Sequence, residues 1–171
     1  MRFTLIDRIV ELHPGESIKA VKSLSMAEEY LRDHFPLFPV MPGVLMLESM
    51  YQASAWLVRK TDDFAHSMVV LSEARNVKFT DFVEPGQVLW VQAEIQKRDG
   101  RLTWLSTRGT VDGDVAVSAK LILDRFNLAD DDPRREATDL YSRRRMREDF
   151  QLLYPPRNAL DPGKNNHRWE R

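Results

Sequence analysis

Cysteine is absent from the 171 residues, so neither a disulfide framework nor a thiolate site is available. Charge of one sign is equally scarce, since 25 Lys and Arg against 26 Asp and Glu leave a formal net charge of -1. That balance gives no global field to draw in nucleic acid or a membrane surface. No run approaches the roughly 18 apolar residues of a spanning helix, and the opening residues from Met1 to Arg8 become charged too early for a signal-peptide core. These absences point to a cytoplasmic protein with no membrane span and no nucleic-acid partner. The four histidines, His13, His34, His66 and His167, are scattered without ligand spacing, so no metal is expected. A glycine-rich phosphate loop and a Gly-x-Ser-x-Gly elbow are also missing, and nothing in the chain calls for a cofactor.

What the chain has is a proline-rich turn running straight into an apolar helix. Pro36, Pro39 and Pro42 keep the stretch from His34 to Met41 extended, because each fixes its own φ and disfavours the α region for the residue before it. Pro42 suits a first helical position, and good helix formers or apolar packers follow as far as Arg59 and Lys60. A helix apolar on every side is expected to be buried on every side.

Glu48 is the anomaly in that setting, since an ionised carboxylate taken out of water without partners is costly. Gln52, one turn further on the same face, is placed to hydrogen-bond it. Two readings follow: a buried structural Glu satisfied by Gln52 and backbone groups, or a carboxyl with a raised pKa kept protonated as a general acid. His34, taken alone beside Phe35, is an ordinary loop residue. Its position changes that, because the turn carries it back toward the first turn of the helix, where free N–H groups and the positive dipole end also point. A base, an acid and an oxyanion site then converge on one small volume.

The rest of the chain reads as strands. Residues 3–12 meet a turn at Pro14-Gly15 and return over Ser17 to Val21 as a hairpin. Ser67 to Phe79, Gln87 to Lys97, Leu102 to Val111 and Val115 to Phe126 follow. Asp99-Gly100 and Asp112-Gly113 separate the last three, and tight hairpin turns need the positive φ that Asp-Gly supplies, so a meander is predicted. In the strand after Gln87, the alternate residues Leu89, Val91, Ala93 and Ile95 form the consistently apolar face. One buried helix plus antiparallel strands is an α+β design.

The pattern His34-Phe35-Pro36-x-x-Pro39-Val40-x-Pro42-Gly43-Val44-Leu45-x-x-Glu48-x-x-x-Gln52 resembles the signature of the 3-hydroxyacyl-acyl carrier protein dehydratases of fatty acid synthesis. Thr4 to Arg8, Val77-Lys78-Phe79 and Val83-Glu84-Pro85-Gly86 resemble further strands and turns of that family, so the likeness covers roughly residues 3 to 126. It implies the hot-dog fold, in which a curved antiparallel sheet wraps one long helix. It also implies His34 as base, Glu48 as acid and the Gly43 N–H as donor to the substrate carbonyl. Val40 would hold the imidazole through its carbonyl, Gln52 would orient Glu48, and Phe35, Leu37 and Tyr51 would line the acyl tunnel. The implied partners are acyl carrier protein and a second copy of the chain, because His and Glu of one site come from different subunits, in dimers that often assemble further into hexamers.

Leu37 stands where the family usually has Gly, and Thr80-Asp81 replaces a commonly basic pair. Tyr51 matches an aromatic position of the related dehydratase-isomerase branch, while Glu48 and His-Phe-Pro match the plain dehydratases. A hot-dog thioesterase and a non-catalytic acyl-binding or regulatory homologue remain as alternatives at this point. The division expected is a hot-dog domain over 1–128 and a charged extension over 129–171. Asp130 to Pro133 reads as a helix start, with Leu140, Tyr141, Phe150, Leu152, Leu153 and Tyr154 as a sparse apolar face and Pro155-Pro156 as its stop. The run Arg143 to Arg147 has two readings, a solvated helix face or a contact for an acidic carrier, and charge runs favour the first. The polar remainder to Arg171 is expected to be loosely ordered.

Overall fold

The computed structural model describes residues 3–155. Strands β1 (Arg8–His13) and β2 (Ser17–Ser23) form the first hairpin, and a 3-10 turn at Glu29–Arg32 leads into the proline-rich loop. Helix α1 spans Gly43–Thr61, followed by β3 (Met68–Phe79), β4 (Val88–Asp99), β5 (Leu102–Val111), β6 (Asp114–Phe126) and helix α2 (Glu136–Leu153). The six strands make one sheet in the order β1-β2-β4-β5-β6-β3, antiparallel throughout.

The meander forms where the Asp-Gly pairs stand, with one shift. Val111 pairs with Asp114 across a loop in which Asp112 and Gly113 have φ of 52° and 99°, as a type I′ turn requires. Asp99 instead stays in β4 and pairs with Leu102, so Gly100 and Arg101 make that loop and Gly100 takes the positive φ of 51°. Leu89, Val91 and Ala93 are buried, and Ile95 packs on the same core. Six strands about 4.8 Å apart span more than twice a helix diameter. Yet α1 touches all six, so the sheet wraps it in the α+β hot-dog arrangement.

Two expectations about α1 need correction. Pro42 is the residue before the helix, with ψ of 134°, and Gly43 is the first helical residue. Nor is the helix buried on every side. From Ala53 to Val58 it is enclosed, but Val44 is 69 % exposed and Leu47, Glu48 and Tyr51 are half-buried. The sheet curls over one side of the first two turns, and on the other side Val44 is left open among the described residues.

The α2 helix packs back on the end of α1 with part of the expected face, Phe150, Leu153 and Tyr154. Leu140, Tyr141 and Leu152 point outward, whereas Asp139, Met146, Phe150 and Leu153 face inward at helical spacing. The Phe150 ring meets Trp56 at 6.1 Å and Phe64 at 5.5 Å between centroids. Asp139 is 1 % exposed and accepts from the Ser67 hydroxyl, from Leu128 N at 3.0 Å and from Ala129 N at 2.8 Å. Burial works against its charge, but these donors and nearby Arg143 outweigh that and hold the carboxyl below the usual range.

The arginine run is partly engaged within the chain. Arg143 donates to Ala65 O at 3.2 Å and Arg147 to Asp63 O at 2.8 Å, closing the chain just past α1, while Arg144 and Arg145 pair with Glu148. Pro155 follows the helix end. Pro156 and the polar remainder to Arg171 lie outside the described residues.

Candidate active site

The loop before α1 closes on itself around His34. Val40 N donates to His34 O at 3.0 Å, and Phe35 and Phe38 exchange backbone hydrogen bonds of 3.1 Å each. Met41 N then donates to Val83 O at 2.9 Å, which fastens the loop to the segment before β4. Within this frame the His34 Nδ1 lies 3.0 Å from Val40 O. A carbonyl only accepts, so Nδ1 is the donor, and in the neutral ring the lone pair lies on Nε2. The His34–Phe35 peptide bond is cis, and the Phe35 ring stacks on the imidazole at 4.4 Å.

At the helix start, Leu45 N and Met46 N both reach back to Pro42 O. The Gly43 N–H belongs to the first turn, where no carbonyl of the same helix lies in reach, and it sits at the positive end of the dipole. A Cβ at Gly43 would come within 3.1 Å of the Phe79 ring, so any larger residue here needs the ring or the helix start to shift.

Gln52 fixes Glu48 and is itself fixed. Its Oε1 accepts from Leu5 N at 2.9 Å, and its Nε2 donates to Phe3 O at 3.0 Å and to Glu48 Oε1 at 2.9 Å. The two backbone partners decide which way the amide points, so Glu48 Oε1 meets an N–H donor, while none of the described residues donates to its Oε2. Glu48 opens onto a cavity of about 470 Å³ between α1 and α2. Tyr51, Trp56, Arg59, Met146 and Leu153 are among its walls. Tyr51 donates to Val69 O at 2.9 Å, and burial raises its phenol while the Arg59 charge works the other way.

The structure thus brings Glu48, Gln52 and Tyr51 together in one cavity, and His34, Val40 and Gly43 together around one loop. It does not bring the two groups into one pocket within a single chain. Phe35 is 52 % exposed and Leu37 fully so, and neither borders the Glu48 cavity. Phe3 O, Leu5 N, Phe79 and the α2 residues are parts of the site that sequence reasoning did not pick out. For Arg59 a signal was present, since positions 48, 52, 55 and 59 fall on one helical stripe.

A FabA-like domain model matches residues 1–120. The chain belongs to the FabA-like family. Over 119 residues it is 36 % identical to a protein of Ruminiclostridium cellulolyticum named 3-hydroxyacyl-[acyl-carrier-protein] dehydratase FabZ, covering 70 % of this chain and 84 % of that one. A protein of the same name from Levilactobacillus brevis is 39 % identical over 116 residues, covering 68 % and 78 %. Among solved structures, the dehydratase heterocomplex ApeI:P of Xenorhabdus doucetiae superposes with a TM-score of 0.59 at 20 % identity, over 74 % of this chain and 85 % of that one. That last likeness speaks for the fold. In the FabA-like match, α2 lies outside the matched residues.

Proposed function

We propose that this FabA-like protein dehydrates 3-hydroxyacyl thioesters of acyl carrier protein to trans-2-enoyl thioesters and water, as its FabZ relatives are named for doing. The carrying observation is that one atom of each reacting group is tied down and the other is left for substrate: Nδ1 against Nε2 on His34, and Oε1 against Oε2 on Glu48.

His34 Nε2 takes the proton from the carbon next to the thioester carbonyl. Negative charge then develops on the carbonyl oxygen, where the Gly43 N–H and the helix dipole stabilise it without reorganisation. Glu48 Oε2 gives its proton to the 3-hydroxyl, the C–O bond breaks, and water leaves as the double bond forms.

A second copy of the chain supplies the missing juxtaposition of His34 and Glu48. Around the start of α1 the large apolar residues Phe35, Leu37, Phe38, Val44, Phe79 and Phe82 are exposed together, with Phe38 and Phe82 packed edge to face at 5.6 Å. A patch of that kind calls for a protein partner. Strand β3, twelve residues long, lies at the edge of the sheet beside it and offers a row of backbone groups. A homodimer covering this face places His34 of one copy toward Glu48 of the other.

The test is spectrophotometric hydration of an enoyl thioester by wild type, His34→Ala and Glu48→Gln. Each change is expected to lower kcat at least about a hundredfold with the fold retained. Wild-type-like turnover in either variant would remove the assignment.

A further inference from the structure

The Glu48 cavity continues away from the reacting groups. On α1 its floor is the stripe Glu48, Gln52, Ala55 and Arg59, about 16 Å long at 1.5 Å per residue. Its other wall comes from α2, through Met146 and Leu153. We propose that this cavity receives the acyl chain of the thioester, and that Met146 and Leu153 set the longest chain that fits. The inference rests on the dehydratase reading of Glu48, whose carboxyl stands at the mouth.

Three features carry it. Between Glu48 and Arg59 the stripe is narrow-bodied at Ala55, which leaves room for an alkyl chain where a larger residue would close the space. The α2 wall is fastened, not a loose lid: Phe150 sits among the rings of Trp56, Phe64 and Tyr154, and the buried Asp139 ties the helix start to Ser67 and the 128–129 backbone. Finally, the stripe ends on charge. Arg59 lies 5.4 Å from the Trp56 ring centroid and donates to Val69 O at 3.4 Å, and Asp149 lines the same cavity. An alkyl end offers no hydrogen bond to this buried guanidinium, so chains that stop short of Arg59 are favoured.

The probe is a ladder of unreactive S-alkyl pantetheine thioethers of increasing length, titrated calorimetrically into the full-length protein. Each methylene entering the cavity is expected to tighten Kd about fourfold, until the chain meets the wall and the gain stops. In Leu153→Ala and in Met146→Ala the break moves at least two carbons longer, and in Leu153→Trp it moves shorter. A break at the same length in wild type and every folded variant overturns the proposal, as does a ladder that wild type does not bind. Failure of the dehydratase reading looks different: the break shifts as stated, but wild type hydrates no enoyl thioester.

Discussion

Gln52 donates to Glu48 over 2.9 Å with an amide whose orientation is dictated from the other side by Phe3 O and Leu5 N. The segment before β1 thereby reaches the carboxyl through a single side chain. Any change that frees the amide also frees the carboxyl.

Gln52→Ala is therefore expected to act as loss of a positioning residue. Misplacing the acid by about 1 Å costs up to about a hundredfold in kcat, while KM for a short enoyl thioester changes little. Loss of the two backbone ties also lowers stability by about 1–3 kcal/mol. Steady-state kinetics beside a denaturant titration check both. A fall in stability with kcat intact would mean the glutamine only anchors the segment before β1.

The Gly43 approach to Phe79 predicts a coupled pair. Gly43→Ala pushes a Cβ to 3.1 Å from the ring, and either the ring or the helix start must give. Expected is a folded protein with reduced kcat, because the N–H proposed to stabilise the carbonyl oxygen moves with the turn. Adding Phe79→Ala restores much of the loss, so the two changes are not additive. Strict additivity in a double-mutant cycle would contradict the contact.

Asp139 predicts a pH dependence of stability. Its carboxyl is held below the ordinary value of 3.8, so it binds fewer protons folded than unfolded in that range. The resulting stability is complete above the ordinary carboxylate range and is lost as pH falls through the depressed folded value. Asp139→Asn should lower Tm at neutral pH and flatten the fall in Tm toward acid. Parallel Tm curves for the two proteins would show that the buried carboxyl carries no such linkage.

Much of this architecture is written locally. Alternation from Leu89 to Ile95 and the positive φ demanded by Asp112-Gly113 are properties of a few adjacent residues, and the strands formed there. The α2 face was legible at Phe150, Leu153 and Tyr154 but not at its start, because its innermost residue is a carboxylate. Asp139 is tolerated inside by donors from Ser67, Leu128 and Ala129, the first of them 72 positions away, while Leu140 beside it faces out. Arg143 and Arg147 are bonded to carbonyls at the end of α1, so a run that reads as a solvated face is partly a clamp. The open side of α1 at Val44 was hidden for another reason: an apolar residue reads the same in the sequence whether its helix face is enclosed or open.

The central claim, that His34 of one copy and Glu48 of another serve the same thioester, is tested most directly by mixing inactive partners. His34→Ala and Glu48→Gln chains are co-expressed with different tags, and the mixed dimers are assayed for enoyl hydration. Each mixed dimer holds one doubly altered and one intact site, so an equal random mixture recovers about a quarter of wild-type activity. Mixed dimers that form yet stay as inactive as either parent would contradict the account.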